Sequence, residues 1–192
     1  MSYLQASLPA QVDRARLVPT IVVAGVIAAV SLGGLGLDRA LASPSAGVVD
    51  LGAGVSLTAA PGWVLSAASG DVSAGTQLRK ADAVLTAQVA DESYAGTAAQ
   101  LMDSAELDLR GATAQISFGD THGLAVNGHD ASAVSFQATV SNSRGSGAID
   151  GEVIAIVIGR DAIVVELASP QGRLGSAVDD VTTMLDSIRV GP

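Results

Sequence analysis

The 192-residue chain has a formal net charge of −9 and no run of basic residues interleaved with aromatics, so it repels phosphate backbones and nucleic acid is excluded as a partner. It contains no cysteine, which excludes disulfides, thiolate catalysis, cysteine-ligated metals and acylation at a lipobox. Lys80 is the only lysine beside several arginines, and Ala and Gly are frequent, the composition of a GC-rich bacterial genome.

Residues 1–16 show no sustained periodicity and read as a cytoplasmic tail. Leu17–Leu37 (LVPTIVVAGVIAAVSLGGLGL) is uncharged throughout, with Arg14 and Arg16 before it and Asp38 and Arg39 after it. A helix over this stretch is about 31 Å long at about 1.5 Å per residue, which matches the hydrocarbon core of a bilayer. After position 42 the chain carries 17 acidic against 7 basic residues. Positive-inside bias therefore puts the N-terminus in the cytoplasm and the larger C-terminal portion outside. The expectation is a single-pass inner-membrane protein with an extracytoplasmic domain. Ala40-Leu41-Ala42 before Ser43 has the small-x-small pattern of a signal-peptidase site, so cleavage stays open as the alternative. The segment from Gly33 to Ala42 would then be a long, charged c-region behind the apolar block Ile21–Leu32, and the uncleaved anchor is the expected form. Within the span, Gly25, Ala29 and Gly33 recur every four residues and form one small-residue stripe suited to close approach of a second membrane helix. The abundance of Ala, Gly and Val accounts for the same stripe by composition.

About 145 residues remain beyond the span, enough for one domain with its own core. Residues 38–47, including LASPSAG from Leu41 to Gly47, read as a linker. Short apolar runs at Val48-Val49, Val55–Thr58 and Trp63–Leu65, separated by Gly and Pro, predict strands and turns. Gln77–Lys80 and Ala83–Val89 predict a hairpin around Ala81-Asp82. Leu101, Ala105 and Leu109, with Met102 alongside, predict a helix over Thr97–Arg110, with Thr97 and Gln100 at capping-box spacing and Gly111 as its C-terminal cap. Strands resume at Ala114–Phe118, at Leu124–Val126 and, across the Asn127-Gly128 turn, at Ala131–Ser141, where Val134, Phe136, Ala138 and Val140 alternate. Ser141–Gly147 (SNSRGSG) reads as a flexible loop joining this strand to Ile149–Ile158, which pairs in turn with Ala162–Leu167 around Gly159-Arg160-Asp161. Ser176 and Asp179 have capping-box spacing, and Val178, Val181, Leu185 and Ile188 form the apolar stripe of a closing helix. Hairpin-length connections rule against a parallel doubly wound sheet. The predicted fold class is α+β: one N-terminal transmembrane helix, then an antiparallel β-sheet with two packed helices.

The opening Gly54–Trp63 (GVSLTAAPGW), the central helix, the turn Val126–Ala131 (VNGHDA) into long hairpins and the ending Leu185–Val190 (LDSIRV) together resemble the PsbP-like α/β/α sandwich superfamily. That superfamily includes the photosystem subunit PsbP and the actinobacterial LpqN-type lipoproteins. The resemblance spans residues 48–190 and implies a non-enzymatic extracytoplasmic domain that binds proteins or serves envelope complexes. The chain departs from the lipoprotein members in having no lipobox cysteine, and a transmembrane anchor would serve the same end.

Candidate chemistry is sparse. Val48–Gly54 (VVDLGAG) looks like the glycine-rich first loop of S-adenosylmethionine-dependent methyltransferases, but Ser56 replaces a further glycine, Pro61-Gly62 interrupts any following helix and no βαβα alternation succeeds it. Asp120, His122, His129 and Asp130 carry metal-ligating groups across a predicted hairpin, and exposed turn residues explain the same letters. No Gly-x-Ser-x-Gly elbow is present, and the adjacent pairs Asp91-Glu92 and Asp179-Asp180 read as solvated faces. Trp63 reads as a core anchor, with ligand stacking as the alternative. The glycine-flanked loop with Asn142 and Arg144 is the candidate contact tip. No catalytic, cofactor or metal site is assigned. The expected function is a membrane-anchored, non-catalytic protein-binding accessory module of an envelope complex. The alternative is a carrier of a small apolar or lipid ligand between helices and sheet.

Overall fold

A computed structural model of the chain describes residues 47–66, 75–91, 93–113, 115–142 and 145–191. The tail 1–16, the span Leu17–Leu37 with its stripe Gly25, Ala29 and Gly33, the linker as far as Ala46, and Arg144 lie outside the described residues. No helix among the described residues is long and apolar enough to cross a membrane.

In chain order the elements are β1 (Val48–Gly52), β2 (Val55–Thr58), β3 (Val64–Leu65), β4 (Thr76–Lys80), β5 (Ala83–Asp91), α1 (Ala98–Ala112), β6 (Ile116–Phe118), β7 (His122–Val126), β8 (His129–Asn142), β9 (Gly145–Ile158), β10 (Asp161–Pro170), α2 (Gly175–Asp186) and β11 (Arg189–Val190). They form two antiparallel sheets where one was expected. The smaller runs β1-β2-β11, and the larger runs β3-β4-β5-β10-β9-β8, with β6 and β7 in tandem along the outer edge of β8. The glycine-rich VVDLGAG stretch is β1 and a tight turn, with Gly52, Ala53 and Gly54 at φ 92°, 54° and 75°. The chain returns antiparallel, pairing Val48 with Thr58, so no helix follows and no cofactor loop forms. The β7–β8 turn places Asn127 and Gly128 at φ 50° and 81°, the left-handed pair that an Asn-Gly hairpin favours.

Strand side chains alternate, and the large sheet is covered on both faces except over the outer half of the β8–β9 hairpin, where only one face is packed. Leu101, Met102, Ala105 and Leu109 of α1 pack on Val134, Phe136, Val153, Ala155 and Val164. On the opposite face, Ala177, Val181, Met184 and Leu185 of α2, together with Trp63 and the inward side of β1 and β2, pack on Leu85, Ile154, Ile156, Ile163 and Val165. The result is a three-layer sandwich whose core is two apolar sheets of side chains, one on each side of the β-sheet. Gly151 in β9 is required by this packing: a Cβ there would meet Phe136 Cζ at 2.1 Å and the Leu167 carbonyl oxygen at 2.7 Å.

The capping box at the start of α1 forms in both halves. Gln100 N–H donates to Thr97 Oγ1 at 3.3 Å, and Thr97 N–H donates to Gln100 Oε1 at 3.1 Å. Its C-terminal glycine cap does not form, because the helix runs past Gly111 and ends at Thr113, whose N–H donates to the Leu109 carbonyl. The second capping box also fails: α2 already begins at Gly175, after Leu174, so Ser176 stands inside the first turn. The expected loop Ser141–Gly147 is largely strand, since pairing continues out to Asn142 with Gly145. Small polar residues obscure that pairing because the hairpin tip has no core against which to show a buried side.

Candidate functional site

The four potential metal ligands are not brought together. Asp130 Oδ2 accepts from Ala98 N–H at 3.1 Å, so this carboxylate holds the start of α1. His122 pairs with Ala133 and His129 with Val126. The imidazoles therefore stand four positions apart along β8, about 13 Å at about 3.3 Å per residue. Asp120 lies in the connection between β6 and β7. Among the described residues no group of three His, Cys, Asp or Glu side chains is placed to hold a metal ion.

Trp63 is a core anchor. It is fully buried, and its Nε1 donates to Asp180 Oδ2 at 2.9 Å, to which Lys80 Nζ also donates at 2.6 Å. The hydrogen bond from Lys80, then the one from Trp63, holds the Asp180 carboxyl below its ordinary value. Of the two adjacent aspartates, Asp179 is exposed, whereas Asp180 ties α2 to the Pro61-Gly62-Trp63 turn. Glu92 lies outside the described residues.

One surface stands out, on the outer half of the β8–β9 hairpin. Val134, Phe136, Ala138 and Val140 are buried beneath α1, while Ser135, Gln137 and Thr139 point the other way and are exposed. The second layer covers Ala131, Ala133, Ile154 and Ile156 on that opposite face, nearer the base of the hairpin. Across the ladder, Ser135 faces Glu152, Gln137 faces Asp150 and Thr139 faces Ala148. Along the edge, Ser117 of β6 pairs with Gln137, and His122 of β7 pairs with Ala133, which puts both on the same face. Together these residues make a polar strip lying directly on paired strands.

The electrostatics of the strip are mildly acidic. Partial burial pushes the Glu152 carboxyl above its ordinary range, and the nearby His122 imidazole pulls it back. Asp150 Oδ2 accepts from Gly172 N–H at 2.7 Å, and Gln171 N–H donates to the Ala148 carbonyl at 3.0 Å, so the chain after β10 is tied to the strip's rim. Asn142 ends β8 three residues beyond Thr139, about 10 Å further out. Sequence reasoning named the tip but missed Ser135, Gln137 and Thr139, although the alternation that marked Val134 to Val140 as buried also marks these three as facing away.

No protein-family model matches the sequence, and no curated protein does. Among solved structures, the Ran-binding protein Mog1p of Saccharomyces cerevisiae matches with a TM-score of 0.53 at 11% identity, over 77% of this chain and 96% of its own. LpqN of Mycobacterium tuberculosis, described as involved in cell envelope biogenesis, matches with a TM-score of 0.49 at 13% identity, over 72% and 83% of the two chains. Cyanobacterial PsbP from Synechocystis matches with a TM-score of 0.48 at 14% identity, over 76% and 94%. Likeness at these identities is likeness of fold alone. The architecture shared with Mog1p is the mixed α/β domain of antiparallel sheets with two helices that the sequence predicts.

Proposed function

We propose that the chain is a non-catalytic protein-binding accessory module whose contact surface is the polar strip of β8 and β9, with Asn142 and Arg144, the contact-loop residues read from the sequence, as a second part of the same proposal. One observation carries this reading: Ser135, Gln137 and Thr139 stand exposed on strands whose other face is packed under α1. Side chains held on a packed sheet lose little freedom on binding, which lowers the ordering cost of an interface. Mog1p, which shares the fold, is by name a Ran-binding protein. The proposal takes from it only that this architecture is able to present a protein-binding surface. Binding outside the core also fits the filling of both apolar layers by the chain's own large side chains, Trp63 and Met184 in one and Met102 and Leu109 in the other.

The proposal further places the module outside the inner membrane, held by Leu17–Leu37 as a single-pass anchor with a cytoplasmic N-terminus, as a part of an envelope complex. The stripe Gly25, Ala29 and Gly33 would pack against a partner's membrane helix. Affinity purification of the full-length chain from its native membrane tests both parts. Ser135→Arg with Gln137→Arg is expected to lose the partner while thermal stability stays within about 0.5 kcal/mol, as for exposed substitutions. Gly25→Leu with Gly33→Leu is expected to weaken co-purification without touching the domain. Undiminished capture by the arginine variant removes the strip from the proposal. Lipid co-purifying stoichiometrically with the domain, and no protein partner, turns the reading to the carrier.

A further inference from the structure

One outer edge of the large sheet ends in β7, where His122, Gly123, Leu124 and Ala125 are exposed. The left-handed turn Asn127-Gly128 joins β7 to β8 with Val126 facing His129. In such a two-residue hairpin Val126, Leu124 and His122 exchange hydrogen bonds with His129, Ala131 and Ala133. The intervening residues, Gly123 and Ala125, turn their N–H and C=O groups away from β8. Among the described residues these groups have no backbone partner. Leu124 is 36% exposed and shares a face of the sheet with the buried Val126 and Ala131. The other sheet edges are blunted by devices that discourage strand pairing. Strands β3 and β11 are two residues long. Strand β1 carries the charge of Asp50 and a bulge between Asp50 and Gly52. Strand β6 has three residues, with the Arg110 guanidinium over its Phe118 ring. Within β7 there is no proline, no bulge and no acid, lysine or arginine, and His122 is its sole titratable residue.

We propose that β7 pairs antiparallel with β7 of a second copy of this chain, about a two-fold axis through Leu124. The open pattern is its own complement. In that register Gly123 stands opposite Ala125 of the other copy, and each such pair exchanges two hydrogen bonds, so every outward group of both residues is satisfied. Leu124 meets its counterpart at the axis as a non-hydrogen-bonded pair, in which side chains come closest. The two leucines continue the apolar row that Ala131 begins in each copy. A Cβ at Gly123 would meet nothing within 4 Å, so the edge has room for a neighbouring strand. The net charge of −9 does not oppose the contact locally. Asp130 lies one strand in, opposite Ala125, and its Oδ2 accepts from the Ala98 N–H. Three strand spacings, about 14 Å, would separate it from its counterpart, beyond the screening length of about 8 Å at physiological salt. Asp120 is four residues along from the axis, about 26 Å from its own counterpart. The joined sheets would carry both polar strips on one face, because Leu124 and the strip lie on the same side. Pairing along five residues buries a small area, so the dimer belongs to the transient class of interfaces.

The chain has no cysteine, so a single introduced thiol reports the contact without background. A non-hydrogen-bonded pair holds its Cα atoms about 4.5 Å apart, within the span that a disulfide accepts. Full-length chain carrying Leu124→Cys should therefore form a disulfide-linked dimer under mild oxidation about tenfold faster, or more, than chain carrying Leu107→Cys, since pairing raises the effective concentration of one thiol at the other. Leu107 makes a strict control: it is 68% exposed on α1, so its thiol would be the more accessible of the two. Ala125→Pro keeps the bonds to β8 and removes an outward N–H from each copy. Added to Leu124→Cys, it should bring the rate down to that of Leu107→Cys. Equal rates for Leu124→Cys and Leu107→Cys overturn the proposal, and that comparison needs no proline variant. An unchanged rate after Ala125→Pro, at an unchanged melting temperature, overturns it as well, because the backbone pairing would then play no part. Cross-linking of Leu124→Cys to a different protein in place of itself would give the edge to a foreign strand, which also overturns it.

Discussion

The junction of Trp63, Lys80 and Asp180 gives the sharpest stability test, because one carboxylate oxygen serves two donors. Asp180→Ala removes the acceptor of both the indole N–H, at 2.9 Å, and the Lys80 ammonium, at 2.6 Å. Trp63 is 0% exposed with Asp180 in place, and a buried donor left unpaired costs about 1–3 kcal/mol, the low end applying where water enters beside the part-exposed Asp180 position. The ion pair adds little: its side chains are 38% and 25% exposed, and such pairs contribute about 0–1 kcal/mol. The expected total is about 2–3 kcal/mol, or about 6–9 °C in melting temperature for a domain of this size. Asp180→Asn keeps an oxygen for the indole and loses only charge, so its cost should stay below about 1 kcal/mol. Urea unfolding followed by tryptophan emission reads the junction directly, since Trp63 is the chain's single tryptophan. The pH dependence follows from the lowered carboxyl: the charged contribution is present above the ordinary value of 3.8 and is lost as pH falls through the lower folded value. The gap between wild type and Asp180→Asn should therefore close in acid. An Asp180→Ala cost under about 0.5 kcal/mol, or one equal to that of Asp180→Asn, would refute the assignment of the penalty to the buried indole.

Two further substitutions test the packing. Thr97→Ala removes one half of the capping box on α1 and is expected to cost about 1 kcal/mol, read by denaturant midpoint, with Thr97→Ser close to neutral. Gly151→Ala brings a methyl to 2.1 Å from Phe136 Cζ and should destabilise by about 2 kcal/mol or more. Phe136→Leu in the same chain should return part of that loss, whereas additive losses would place the strain against the Leu167 carbonyl instead.

Local chemistry was readable where the physics is local. Thr97 with Gln100, and Asn127 with Gly128, act within four residues, and both form as their spacing predicts. The same spacing at Ser176 and Asp179 misleads because the approach to α2 is set elsewhere: Arg173 N–H donates to the Pro170 carbonyl and Ala177 N–H to the Leu174 carbonyl, which starts the helix early. The two-residue β11 has no periodicity to detect, since it exists only through pairing with Ser56 and Val55, far earlier in the chain. The polar strip is an intermediate case. In β8 the inner stretch Ala131–Val134 is buried at every position, and beyond it burial alternates. Small residues mark the part sandwiched on both sides and alternation marks the part covered on one, so the point where the second layer stops was written in the change of pattern. Which face lay open depended on where α2 docks, a contact distant in sequence.

Glu166 carried a plainer signal that pattern reading passed over. The run Ala162–Ser169 (AIVVELAS) is buried at every position, as a central strand covered on both faces must be. An acid inside such a run has no solvent to ionise into, so its burial demands a proton or a partner. Hydrophobic periodicity treats that residue as an interruption in an otherwise apolar strand. Desolvation makes it the position at which the strand's chemistry departs from packing.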